Sequence, residues 1–292
     1  MTPLVKQSAF TPDTCESGVG GIDWSSIASA PSMSAFCGIM AGFVFAGLVT
    51  VIGQRNAANG DGHASRGLRL LLPCFVGLAT ASYLYALTSG ELVCIRAVTE
   101  QLFSGAILAA DAVVVIIALA WLLPAYDRNK HGEVVFFRGL IQFSAQFSSL
   151  MLIVSSDAFK NSVLHQNAAG WSTAMVWGSG VALMAAVFFC WWKPLPTAPP
   201  VVPSPPPPGV TTTAEWSIHW RDEILLNGRV RVASRTTVAV GGFLAVAAGC
   251  AVGVSHDHWA AMPPWLVYTL AEAALVLPGV VIVTAVWAVP RD

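Results

Sequence analysis

Seven stretches of the chain, at 33–53, 68–88, 102–123, 134–155, 171–192, 237–256 and 265–289, run for twenty residues or more with at most one Asp, Glu, Lys or Arg each. A helix needs about 20 apolar residues to cross a bilayer core. Inside that core every backbone polar group has to be satisfied within the segment itself, which favours helices. The expected fold is therefore an all-α, polytopic membrane protein, a bundle of seven transmembrane helices. Composition agrees, since 11% of the 292 residues are charged, against about 25% in a soluble domain. Such a chain meets the lipid bilayer over most of its surface. Its net charge of −1 creates no basic field for nucleic acid.

The run at 134–155 is the weakest, because it holds Arg138, Gln142 and Gln146. Charge placement argues that it crosses. Lys and Arg collect in cytoplasmic loops. With seven spans and the N-terminus outside, the inner side holds Arg55, Arg66, Arg69, Arg128, Lys130, Arg138, Lys193, Arg221, Arg229, Arg231, Arg235 and Arg291. The outer side holds Lys6, Arg96 and Lys160, a division of 12 to 3 among the 15 basic residues. Removing the fourth span flips everything after it, and the division becomes 7 to 8. The expected topology has the N-terminus outside and the C-terminus cytoplasmic, with Arg138 near enough to the inner end of its helix to snorkel to the headgroups.

Residues 1–32 read as an extracytoplasmic polar tail without the basic start and apolar core of a signal peptide. Residues 33–192 carry helices one to five, and 237–292 carry helices six and seven with a short C-terminal tail. Between them, 193–236 form a cytoplasmic loop that opens with KPLPTAPPVVPSPPPPG. Such proline density gives an extended, semi-rigid spacer, which also offers a site for a protein partner. In the following EWSIHWRDEILL, Trp216, Trp220 and Ile224 recur every four residues, the pattern of an amphipathic helix lying in the interface. The prevalence of Arg over Lys, 11 to 4, with abundant Ala, Val and Gly, suggests a GC-rich bacterial genome and hence a bacterial plasma membrane.

No GxSxG, HExxH, GxxxxGK or CxxC pattern occurs, so no reaction signature is present. No cofactor or metal set is expected, and an enzyme is the less favoured class. Among the six cysteines, Cys15 and Cys94 both fall on the outer side, where a disulfide can persist. Cys37 is a competing partner, and Cys74, Cys190 and Cys250 read as small packing residues. His256 and His258 with Asp257, and His165 with Asp157, lie in outer connections without metal-ligand spacing.

The intramembrane acids carry the functional expectation. Asp111 sits mid-span in AILAADAVVVIIALAW, where a charge costs about 2.5–3.5 kcal/mol on insertion scales. Glu100, Ser104 and Asp111 share one helix stripe. That stripe continues inward as the apolar Val115, Ala118 and Leu122. In the last span Glu272 lies below Tyr268, and in the fourth Gln142 and Gln146 share a stripe. These residues suggest a polar pocket open to the outside above an apolar floor. There Asp111 and Glu272 would face one another and bind a proton or small cation; the alternative is that they are protonated and join helices through hydrogen bonds to Ser, Tyr or Gln. Two functions follow as rivals. One is proton- or cation-coupled transport. The other is a non-enzymatic accessory or sensor protein that binds partners through the cytoplasmic loop.

Overall fold

The computed structural model describes residues 25–54, 62–91, 94–126, 131–164, 170–192, 213–253 and 263–289. Seven α-helices account for them: α1 Ser26–Gln54, α2 Gly62–Ser89, α3 Cys94–Tyr126, α4 His131–Leu164, α5 Gly170–Trp192, α6 Thr213–Gly253 and α7 Pro264–Trp287. Each is long and apolar enough to span a membrane. The weak fourth stretch is a helix like the others, extending to Leu164.

Helix α3 is the centre of the bundle. It packs against α2, α4, α6 and α7 and touches α1, whereas α1 and α5 lie at the margins. The α2–α3 seam explains why α3 is so deeply held. On α2, Gly67, Leu70, Cys74, Gly77, Ala81, Leu84 and Thr88 recur at alternating intervals of three and four. On α3, Glu100, Phe103, Ile107, Ala110, Val114, Ile117 and Trp121 do the same, and all of these are buried. This is the spacing that lets antiparallel helices interdigitate along one face. Thr88 meets Glu100, Gly77 meets Asp111, and Gly67 meets Leu122, so one register holds from end to end. A Cβ at Gly67 would stand 2.6 Å from a Leu122 methyl and 3.2 Å from the Ala118 carbonyl, so the small residue sets how closely the helices approach.

The other interfaces are equally regular. Ser34 and Ser82 exchange hydroxyl-to-carbonyl bonds of 2.8 Å each between α1 and α2. Gly180 of α5 receives Ile153 of α4, and Gly279 of α7 receives Leu183 of α5. The Thr236 and Thr284 hydroxyls join α6 to α7 at 2.9 Å. On α6, Gly249 and Gly253, spaced for close helix approach, have nothing within 4 Å of a Cβ position; that face is open. Cys250 is likewise exposed rather than packed.

A circuit of side chains ties four helices at the end of the bundle away from Cys94. The Arg66 guanidinium of α2 lies 5.1 Å from the Trp121 ring centre of α3. Its Nε donates to Asn227 Oδ1 of α6 at 2.9 Å. Trp121 Nε1 donates to the Ala288 carbonyl just past α7 at 3.1 Å. Arg229 of α6 lies 4.7 Å over Trp287 and donates to its carbonyl at 3.3 Å. A cation placed on the last carbonyls of a helix also meets the negative end of its dipole. Arg138 stacks 5.2 Å over Trp191 of α5.

The loop expectation changes in one respect. The segment carrying Trp216, Trp220 and Ile224 is not a separate helix: α6 runs unbroken from Thr213 to Gly253. Arg229, Val230 and Ala233 are buried against the bundle. The proline-rich segment 193–212 lies outside the described residues.

Candidate functional site

Asp111 occupies the middle of α3 and is 2% exposed. Its carboxyl lies on Gly77 of α2, where a Cβ would stand 2.0 Å from Oδ2 and 2.8 Å from Cγ. Only a residue without a side chain lets the carboxyl occupy this position between the helices. Oδ2 is buried and has no hydrogen-bond partner. The nearby Cys74 thiol reaches the Asp111 backbone carbonyl at 4.0 Å, not its carboxyl. Asp111 also borders a cavity of about 10 Å³ lined by Ala106, Ile107 and Ala110 of α3, Thr237, Val240, Gly241 and Leu244 of α6, and Pro278 and Val281 of α7. Further along the same helix Val115, Ala118 and Leu122 are all buried.

The remaining residues of the expected pocket are distributed over other interfaces. Glu100 is buried between α2 and α3, its Oε2 accepting from the Thr88 hydroxyl at 3.1 Å. Ser104 turns back on its own helix, donating to the Glu100 carbonyl at 2.7 Å. Glu272 Oε2 accepts from Ser179 of α5 at 3.0 Å. Gln146 donates to the Met184 carbonyl of α5 at 3.3 Å. Gln142 is half-buried with its amide oxygen unpartnered, and Tyr268 is half-buried on α7.

No hydrogen bond joins Asp111 to Glu272. The α7 residues on the Asp111 cavity begin at Pro278, six positions past Glu272, about 9 Å along the axis at 1.5 Å per residue. The expected face-to-face pair at one depth is thus replaced by two carboxyls on different helix interfaces. The cause is the rotation of α7: Gly279 against Leu183 and Glu272 against Ser179 both turn that face toward α5.

Three features escaped the sequence reading. Gly77 and Thr237 lie near Asp111 from α2 and α6. Lys160, assigned to an outer connection, is 0% exposed on α4. Its Nζ donates to Asp157 Oδ1 and Thr173 Oγ1, both at 2.7 Å. The alternating spacing on α2 was the available signal for Gly77; nothing local marks Thr237 or Lys160.

Cys94 is disulfide-bonded, and its expected partner Cys15 lies outside the described residues, as do His165 and His256–His258. The competing Cys37 is a free, buried thiol. Among the described residues no group of three or more His, Cys, Asp or Glu could hold a metal ion.

The polar accounting of the interior is one-sided. Six buried side-chain atoms among the described residues have no hydrogen-bond partner: Glu100 Oε1, Asp111 Oδ2, Gln142 Oε1, Gln146 Oε1, Ser156 Oγ and Glu272 Oε1. All are oxygens; the serine hydroxyl can also donate, and so can a carboxyl that holds a proton. Comparison with protein-family models, with curated proteins and with solved structures finds no match to the chain.

Proposed function

We propose that this multi-pass membrane protein binds and passes a proton or small cation, with Asp111 as the exchanging group. The observation that carries the reading is the surplus of buried, unpartnered oxygens. An interior short of donors suits a proton or a hard cation, which takes oxygen ligands, and disfavours an anion. Asp111 is the most central of these groups. An ionisable side chain at that depth is a functional position by default, since it is costly to keep. Glu100 and Glu272 each hold one hydroxyl partner on a neighbouring helix, which suits helix association. The test is ion flux into vesicles containing the reconstituted protein: Asp111→Asn abolishes it and Glu272→Gln leaves most of it.

The proposed orientation has the N-terminus outside and the C-terminus cytoplasmic, in a plasma membrane. The 12-to-3 distribution of Lys and Arg supports it. So does the disulfide at Cys94, at the end of α3 away from the arginine circuit, because disulfides persist on the oxidising side.

A second reading, an accessory protein that engages a partner through the cytoplasmic loop, draws on α6. That helix begins at Thr213, 11 residues before its membrane-capable part starts at Ile224. Deleting 194–212 discriminates: it spares transport and abolishes partner binding. Deleting through 236 would remove Arg229, Val230 and Ala233 from the bundle.

A further inference from the structure

We propose that the cavity beside Asp111 is a binding site for one water molecule that joins the Asp111 carboxyl to the Thr237 hydroxyl, linking α3 to α6. This deepens the reading above by naming what binds at the same carboxyl. At about 10 Å³ the cavity stands at the size that admits a single water, and a bound water needs two to four polar partners. Asp111 and Thr237 are the polar side chains among its lining residues. A purely apolar void of this size would stay dry.

The hydrogen-bond chemistry matches. The Thr237 hydroxyl already donates to the Ala233 carbonyl at 2.8 Å, so its proton is engaged and its lone pairs are left to accept. The Asp111 carboxyl makes no side-chain hydrogen bond in the protein. Two acceptors border one cavity, and a water molecule carries two donor hydrogens. The neighbouring Thr236 binds Thr284, so α6 presents successive threonines to α7 and to α3. Thr237 is then a positioning residue: through the water it holds the carboxyl from α6.

The experiment is infrared difference spectroscopy of the full-length protein in lipid, in H₂¹⁶O and H₂¹⁸O. Wild type and Thr237→Ser give a sharp water O–H band that moves in H₂¹⁸O. Thr237→Val, nearly the same shape without the hydroxyl, loses it. Asp111→Leu loses it independently, which keeps the test decisive if one variant folds poorly. Absence of the band from wild type, or its persistence in either apolar variant, overturns the proposal. Flux that depends on Asp111 without such a band would remove the water and leave the transport reading. The band without flux would do the reverse.

Discussion

Replacing Gly77 with alanine tests the placement of Asp111. The new methyl carbon would lie 2.0 Å from Oδ2, 2.8 Å from Cγ and 3.1 Å from Oδ1. Ordinary contact begins at 3.4 Å, so Oδ2 has to retreat by 3.4 − 2.0 = 1.4 Å. Turning the carboxyl about its own axis does not suffice, because Cγ is also too close. The whole group moves toward the cavity, or α2 and α3 separate. Overpacking of this kind costs about 1–3 kcal/mol. In an Asp111→Ala background the three clashing atoms are gone, and the alanine at 77 fills part of the space they leave. The pair is therefore non-additive: the double variant is more stable than the sum of the singles by about 1–3 kcal/mol, within the range seen for residues in contact. Reversible unfolding of the four proteins in mixed micelles measures it. Equal costs of Gly77→Ala with and without Asp111, to within about 0.5 kcal/mol, would refute the placement of the carboxyl on Gly77.

Other consequences follow from single contacts. Trp121→Phe removes the donor to Ala288 and weakens the stacking of Arg66, and should lower unfolding stability by about 0.5–1.5 kcal/mol for the hydrogen bond alone. In a double-mutant cycle Ser179→Ala and Glu272→Leu should couple by about 0.6 kcal/mol, the average for interhelical bonds in membranes; coupling near zero would show that the two side chains do not meet. Mass spectrometry without reduction should recover Cys15 and Cys94 in one cross-linked peptide pair, with Cys37 as a free thiol. A membrane-impermeant maleimide should label a cysteine placed at position 6 in intact cells and one placed at 291 only after permeabilisation.

The seven helices long and apolar enough to span were legible because hydropathy is a strong, local signal that depends on length and composition. Charge asymmetry rescued α4, whose Arg138 and glutamines lower its apolar character. The stripe of Glu100, Ser104 and Asp111 was also legible: one helix face follows from 100° per residue, and all three are buried. The partners of that face were not. Depth along a helix can be read from sequence, but rotation and neighbour choice depend on residues far apart in the chain, such as Ser179 with Glu272. That is why Glu272 was placed opposite Asp111 when it turns toward α5. The unbroken α6 was missed for a related reason. The polar run before residue 237 reads as a loop and surface helix until Arg66, Trp121 and Trp287 supply the partners that let Asn227 and Arg229 sit inside the bundle.

Ion flux in sealed vesicles tests the central claim most directly. Purified protein is reconstituted, a potassium diffusion potential is imposed, and internal pH and sodium are followed with trapped dyes. Wild type should carry protons or sodium down the gradient, and Asp111→Asn, folded by the same unfolding assay, should fall to the rate of protein-free vesicles. Flux that survives intact in Asp111→Asn would contradict the account, and so would wild type that carries neither ion.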